Sequence, residues 1–95
     1  MGGETRPVTW SITISPEAEK QAKKLGPSAE REIARYLRQR IAKAENPRHF
    51  GKPLSSNLAG LWRYRIGDYR LICEIQDEKL VVLVIKIGHR RDVYR

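Results

Sequence analysis

The stretch LWRYRIGDYRLICEIQDEKLVVLVIKI, residues 61–87, decides the fold. It consists of three runs of β-branched, aromatic and aliphatic residues, a composition typical of strands. Short polar segments separate the runs: Gly67-Asp68 between the first two, and Asp77-Glu78-Lys79 before the last. Both segments favour turns, so the sequence predicts three antiparallel strands, at 61–66, 69–76 and 80–87. The last run is apolar at nearly every position, which predicts a central strand covered on both faces.

The sequence upstream of this stretch predicts one strand and a pair of helices. PVTWSITIS (7–15) alternates and is rich in β-branched residues, as a strand is. Ser15-Pro16 supplies an N-cap and a first-turn proline for a helix that ends at Gly26, and a second helix is predicted over about 28–45. The order β-α-α-β-β-β indicates an α+β domain, with the helical hairpin packed on a four-stranded, mainly antiparallel sheet.

Length and composition predict one small domain without cofactors. The 95 residues form a single domain, 1–95, in which residues 1–6 are expected to be a flexible tail and 48–60 a long loop. No apolar run reaches the ~20 residues of a membrane helix, and no signal-peptide segment is present. We therefore expect a cytoplasmic protein that does not contact membranes. One cysteine and two distant histidines do not match zinc-ligand spacing, so neither a metal nor another cofactor is expected.

The net charge indicates a polyanionic partner. Nineteen Lys and Arg residues against eleven Asp and Glu give a formal charge of +8 and a sequence pI near 10.1. Such an imbalance favours binding to nucleic acid or to an acidic protein. Arginine supplies most of the positive charge, and its planar guanidinium suits bidentate contacts with phosphate or carboxylate.

The predicted strands place several arginines close together. Strand side chains alternate, so Arg63 and Arg65 project from one face about 7 Å apart. If the hairpin at Gly67-Asp68 is tight, Arg65 lies directly opposite Arg70 on the next strand, with Cβ atoms about 5 Å apart. The following strand leads to His89-Arg90-Arg91. These arginines either pair with carboxylates of Asp68, Glu74 or Asp92 on a solvated face, or they bind an external anion.

An arginine cluster beside a histidine and a tyrosine suits phosphodiester chemistry. RNA can be cleaved without a metal if its own 2′-hydroxyl attacks the adjacent phosphorus. The protein must then align the hydroxyl, stabilise the extra negative charge on the phosphate and protonate the leaving 5′-oxygen. Guanidinium groups suit the second task, but a pKa above about 12 makes them poor general bases.

The run LWRYRIGDYRLICEIQDEKLVVLVIKIGHRRDVY (61–94) resembles the RelE-type toxins of the RelE/ParE superfamily of bacterial toxin–antitoxin modules. The segments WRYR, DYRL and GHRRDVY carry the resemblance, and the rest of the chain is compatible with the family's order of elements. The resemblance implies a toxin that enters the ribosomal A site as a ribosome-dependent endoribonuclease and cuts the mRNA codon there.

The resemblance also implies roles for individual residues. Arg63 and Arg65 fall where well-known members have two lysines that stabilise the transition state and act in base catalysis. Arg70 matches the arginine that holds the scissile phosphate, and Arg90 matches the arginine linked to the leaving oxygen. Tyr94 matches the tyrosine that stacks on or orients a base of the codon.

His89 stands where a lysine is familiar in this family. Histidine readily exchanges a proton near neutral pH, since its ordinary pKa is about 6.5. We therefore predict that His89 assists proton transfer, the alternative being a surface or packing residue.

Further basic residues are predicted to contact RNA or the ribosome, and the resemblance implies specific partners. The predicted contact residues are Lys52, Arg91, Arg48 and Arg38, although the loop residues among them are equally well explained as an ordinary exposed basic loop. The implied partners are a cognate acidic antitoxin, the 70S ribosome with A-site mRNA, and operator DNA through the antitoxin alone.

Two other functions fit parts of the sequence. A ParE-like protein would share the fold and inhibit DNA gyrase by binding, without ribonuclease activity. A non-catalytic RNA- or DNA-binding domain would need only the positive charge. The nuclease is favoured because neither alternative needs Arg63, Arg65, Arg70, Arg90 and Tyr94 on one face.

Overall fold

The computed structural model describes residues 9–91, which form two helices and five strands. The strands are β1 (Ser11–Ile14), β2 (Lys52–Pro53), β3 (Trp62–Ile66), β4 (Tyr69–Gln76) and β5 (Val81–His89). The helices are α1 (Pro16–Leu25) and α2 (Pro27–Tyr36), which a π-helical segment, Leu37–Ile41, continues. Short 3₁₀ turns lie at Pro47–Phe50, Ser56–Leu58 and Asp77–Lys79. Within the described residues, no helix is long and apolar enough to cross a membrane.

The strands form one sheet in the order β1-β5-β4-β3-β2. β1 runs parallel to β5, and all other neighbours are antiparallel, which confirms the α+β class and the mainly antiparallel sheet. The predicted count of four strands is wrong, because β2 pairs with β3 inside the expected loop. β2 has only two residues, one of them a proline, so it shows no alternation in the sequence.

The helices begin and end at the predicted signals except at the C-terminus of α2. The Ser15 hydroxyl accepts a hydrogen bond from the Ala18 amide (3.1 Å), and α1 ends at Gly26 with φ of 103°. The second helix is α-helical only to Tyr36, short of the predicted 45. Beyond it the chain widens into the π-helical segment, in which the Ala42 amide donates to the Leu37 carbonyl (2.8 Å).

Both helices cover the same face of the sheet, so the core lies on one side. Its fully buried side chains include Tyr64, Leu71, Cys73, Val82 and Val84, together with Ile41. The opposite face of β5 is only half-buried at Leu83 and Ile85. The prediction that this strand is covered on both faces is therefore wrong: the chain supplies only two helices, and they pack on one side.

A β-bulge in β5 decides which side chains reach the uncovered face. Ile72 lies opposite Lys86, whereas the next residue of β4, Cys73, lies opposite Val84, so Ile85 is an extra residue. The alternation of β5 consequently changes phase at Ile85. Val82 and Val84 face the helices before the bulge, and Ile87 does so after it.

Candidate functional site

The face of the sheet opposite the helices, here called the open face, carries a basic cluster. Strand register sets its side chains in two cross-strand rows. The first row is Lys52, Arg63, Ile72 and Lys86, and the second is Arg65, Arg70 and Gly88. Neighbours within a row are about 5 Å apart at Cβ, and the rows are separated by about 7 Å.

Arg70 is held in place by the hairpin turn beside it. Its side chain is largely buried, at 7% relative exposure. Its Nη1 donates hydrogen bonds to the carbonyls of Gly67 and Tyr69, both at 2.8 Å. These bonds orient the guanidinium before any ligand arrives, which suits a group that must bind a phosphate in one geometry.

Arg63 carries a buried donor without a partner. Among the described residues, its Nε is buried and makes no hydrogen bond. An unsatisfied buried donor typically costs about 1–3 kcal/mol, and more when the group is charged. A bound oxyanion could supply the missing acceptor only after the Arg63 side chain moves, because the buried Nε is closed to an incoming ligand.

Arg65 lies directly opposite Arg70, as the sequence predicts, and is exposed. Within residues 9–91, neither Asp68 nor Glu74 forms an ion pair with Arg63 or Arg65. Glu74 instead accepts a hydrogen bond from Gln76 Nε2 at 2.6 Å. The alternative in which these two carboxylates neutralise Arg63 and Arg65 is therefore not what the described residues provide, while Asp92 lies outside them.

Lys86 belongs to this cluster, although the sequence analysis missed it. The bulge at Ile85 brings Lys86 to the open face, opposite Ile72 and in the same row as Arg63. The signal was one lysine in the otherwise apolar run LVVLVIKI, residues 80–87. A cation is out of place in a strand buried on both faces, so Lys86 itself pointed to an accessible position.

The structure does not bring His89 to the arginines. His89 lies opposite Tyr69, and Tyr69 lies opposite the buried Ile66, so this row is on the helix-covered face. The rings of His89 and Tyr69 pack edge-on, with centroids 6.5 Å apart. The bulge is the physical reason: without it, the alternation of β5 would have sent His89 to the open face.

The C-terminal arginines lie beside the second row. The Arg90 amide donates to the Asp68 carbonyl at 2.7 Å, which continues the pairing beyond the Tyr69–His89 pair into the turn. Arg90 and Arg91 follow the end of β5 directly, and both are exposed. Tyr94 lies outside the described residues.

The predicted accessory residues occupy different surroundings. Lys52 is exposed and adjacent to Arg63 across β2 and β3. Arg48 is bound elsewhere: its two terminal nitrogens donate to both carboxylate oxygens of Asp77, at 2.9 and 2.6 Å, and it lies over the ring of Trp62. This hydrogen bonding lowers the pKa of Asp77. Arg38 is exposed on the segment after α2 and belongs to neither row.

Comparison with a family model identifies the chain. The model described as the ParE toxin of type II toxin–antitoxin systems matches residues 12–94, nearly the whole described region. The chain belongs to this family. The resemblance of this ParE-family chain to RelE-type toxins is confirmed by two curated relatives from Mycobacterium tuberculosis. It is 42% identical to Toxin RelG over 52 residues and 44% identical to Toxin RelE over 50 residues.

The matches to these relatives are partial. They cover 55% and 53% of this chain, and only 60% of RelG and 52% of RelE. Among solved structures, a RelBE toxin–antitoxin complex from M. tuberculosis superposes with a TM-score of 0.81 at 28% identity, covering 94% of this chain and all of that one. The isolated E. coli RelE toxin, at 22% identity and a TM-score of 0.64 over 84% of this chain and 83% of that one, shares the fold.

Proposed function

We propose that this ParE-family protein is the toxin of a type II toxin–antitoxin module and acts as a ribosome-dependent endoribonuclease. It would cleave mRNA in the ribosomal A site and so inhibit translation. The observation that carries the proposal is the open-face cluster, in which Arg65 lies opposite Arg70 and the Arg70 guanidinium is oriented by two backbone carbonyls. Clustered guanidinium groups that repel one another are stabilised by a bound phosphate.

The proposed reaction needs no metal. The 2′-hydroxyl of the substrate attacks the adjacent phosphorus, and the bond from phosphorus to the 5′-oxygen breaks. The products are a 2′,3′-cyclic phosphate and a 5′-hydroxyl, so one proton leaves the 2′-oxygen and one reaches the 5′-oxygen. Arg63 and Arg70 would stabilise the developing charge on the phosphate, where one well-placed donor is worth about 10²–10³ in rate.

Arg65, Arg90 and Tyr94 complete the proposed site. Arg65, exposed beside Arg70, would neutralise the same phosphate, as its family position implies. Arg90 would act at the leaving oxygen and Tyr94 on a base of the codon, both by resemblance to the RelE-type toxins.

Proton transfer is the step that arginine serves poorly. Lysine ordinarily has a pKa near 10.4, whereas the pKa of arginine is higher, so arginine gives up its proton less readily. Lys86 lies in the same row as Arg63 on the open face, so we assign it the proton-transfer role in preference to His89, which faces the helices. The sequence-based prediction for His89 remains a competing proposal.

The proposal includes partners. Lys52 in the first row and Arg91 after β5 are exposed and would contact the ribosome or the mRNA backbone, as would Arg38 and, if its bond to Asp77 opens, Arg48. A cognate acidic antitoxin would neutralise the basic surface. Solved relatives include RelBE toxin–antitoxin complexes, which supports such a partner. Operator DNA would be bound through the antitoxin.

A ParE-like inhibitor of DNA gyrase is the second candidate function. The observation in its favour is the family model itself, which is described as a ParE toxin and matches residues 12–94. One fold can serve both activities, since function depends on the surface groups and not on the fold. In that case the open-face arginines would form a docking surface and perform no chemistry.

Cleavage of mRNA on programmed 70S ribosomes tests the proposal. Wild type is compared with Arg90→Ala and with Arg31→Ala, a matched control on the exposed side of α2. Naked RNA and a gyrase supercoiling assay are run in parallel. We expect A-site cuts that require the ribosome, persist in Arg31→Ala and disappear in Arg90→Ala. Absence of cutting, with gyrase inhibition that survives Arg90→Ala, would assign the protein the ParE-like function.

A further inference from the structure

A groove of about 300 Å³ lies between α2 and β3 and shares Arg65 with the second row of the open face. Most of its lining residues carry charged or amide side chains, although apolar atoms supply most of the lining surface. Helix α2 and the segment that follows it contribute Glu32, Arg35, Tyr36, Gln39 and Arg40, and β3 contributes Arg65. Three arginines from two elements of the fold therefore converge on one groove.

The charge in this groove is largely uncompensated. Within residues 9–91, Arg35, Arg40 and Arg65 form no ion pair. Among the lining residues, Glu32 is the one carboxylate, and it lies at the turn end of the groove: a Cβ on Gly67 would approach its Oε2 to 2.8 Å. The other charged residues of the lining are arginines, and Tyr36 and Gln39 also line the groove.

The groove continues from the open face around the edge of the sheet. Arg65 lines the groove and also lies opposite Arg70 in the second row. β2 pairs with β3 only at Trp62 and Arg63, so in the described structure no strand covers the outer edge of β3 at Arg65. An extended chain lying across the second row would therefore meet no paired strand where it passes Arg65 toward the groove.

The chemistry of the walls distinguishes this groove from the one between α1 and α2. That second groove, about 220 Å³, is lined mainly by apolar side chains, namely Ile14, Ala22, Ile33, Ala34 and Ile87, together with Glu19, Lys23 and Glu30. An apolar wall suits the hydrophobic centre of a protein contact. The α2–β3 groove has one aliphatic side chain among its lining residues, the buried Ile66, and otherwise offers arginines, an aromatic ring and an amide, which suit phosphates and bases.

We propose that the α2–β3 groove binds the RNA strand adjacent to the nucleotide cleaved on the open face. Arg35 and Arg40 contact phosphates of that strand, and Arg65 bridges the groove and the second row. This inference rests on the proposed function, since it takes the partner to be the RNA substrate. It extends the site from one scissile phosphate to several consecutive nucleotides.

RNA binding in solution tests the groove independently of cleavage. Fluorescence anisotropy measures the Kd of 2′-O-methyl RNA of three and of twelve nucleotides, which cannot undergo 2′-hydroxyl attack, over a series of salt concentrations. The double variant R35A/R40A is compared with R31A/K43A, which removes two charges from exposed positions of the same segment outside the groove. All four positions are exposed, so both variants are expected to melt like wild type.

We expect R35A/R40A to weaken binding of the twelve-nucleotide RNA at least tenfold and to leave the three-nucleotide RNA within twofold. The slope of log Kd against log salt should fall by about 1.4, since each phosphate contact to a single strand contributes about 0.7. R31A/K43A should leave the slope unchanged. If both variants weaken RNA binding equally, the attraction is diffuse and the proposal that the groove binds RNA is wrong. Binding of an acidic poly-glutamate peptide that depends on the groove, without RNA binding, would overturn it in favour of a protein partner.

The two proposals fail in different ways. If the groove binds RNA but wild type does not cleave on the ribosome, the nuclease proposal is wrong and the proposal of an RNA-binding groove stands. If R35A/R40A leaves ribosomal cleavage unchanged and RNA binding does not depend on length, the nuclease proposal stands and the groove proposal is wrong.

Discussion

The two faces of strand β3 differ in burial, in charge and in their role in the protein. On one face, Tyr64 is fully buried and its hydroxyl donates to the Pro47 carbonyl at 2.7 Å. On the other, the next residue, Arg65, is exposed beside Arg70 and is unpaired among the described residues. The helix-covered face stabilises the fold, and the open face concentrates charge at some expense of stability, because like charges repel. In such a small sheet, core and candidate site alternate residue by residue.

This alternation makes register the property on which the site depends. A shift of one residue would bury arginines and expose the core, so the tight Gly67-Asp68 hairpin protects both. The bulge at Ile85 interrupts the regular alternation of β5. It places Lys86 on the open face and His89 on the helix-covered face, the reverse of an unbroken strand. Substitutions on the helix-covered face should therefore affect mainly stability and those on the open face mainly chemistry, although Arg70→Ala also removes two hydrogen bonds of the hairpin.

The largest expected contrast lies between Leu71 and Arg70, adjacent residues on opposite faces of β4. Leu71→Ala should lower the free energy of unfolding by about 2–5 kcal/mol, since it opens a cavity in the core. Arg70→Ala should slow cleavage on programmed ribosomes by about 10²–10³, since it removes an oriented phosphate donor. Urea denaturation and single-turnover cleavage measure the two effects.

A control separates charge from geometry at Arg70. Arg70→Lys keeps the positive charge but cannot bond both carbonyls with the same planar group, so its cleavage rate should fall between those of Arg70→Ala and wild type. Cleavage by Arg70→Ala at the wild-type rate would contradict the assignment of the open face as the reactive one.

A smaller contrast is expected between Lys86 and His89, which the bulge places on opposite faces. Lys86→Met should slow cleavage about 100-fold, the lower end of what general acid–base catalysis contributes. His89→Gln should stay within twofold, because its ring packs against Tyr69. The dependence of the cleavage rate on pH tests whether Lys86 transfers a proton. If it does, Lys86→Arg should not restore activity, because arginine gives up its proton less readily than lysine. A greater loss at His89 than at Lys86 would overturn this assignment.

The hairpin and its arginines were predictable because local chemistry determines them. A two-residue Gly-Asp turn specifies register, and register places Arg65 opposite Arg70. Ser15 and Gly26 likewise mark the ends of α1 through a side-chain cap and a positive φ.

Other features have no local signal. In the run from Val81 to Ile85 every residue is apolar, so no polar position reveals where an extra residue enters and the bulge could not be located. The faces on which Lys86 and His89 lie depend on the position of that bulge, so they could not be predicted either. β2 is too short for a pattern, and the α2–β3 groove joins residues that only the packing of α2 on β3 brings together.

The smallest expected effect belongs to the helix-covered face and appears at high pH. Tyr64→Phe should lower the free energy of unfolding by about 1 kcal/mol at neutral pH, because the Pro47 carbonyl loses its donor.

Burial raises the pKa of Tyr64, so folding opposes its ionisation. The contribution of the neutral phenol is therefore complete below the unfolded value of about 10 and is lost as pH rises above it. Tyr64→Phe lacks this group, so the stability difference from wild type should narrow between about pH 9 and 11. Burial also raises the pKa of Cys73, but both proteins share that loss. Urea denaturation across this range measures the difference, and a constant difference would mean that Tyr64 is not buried in solution.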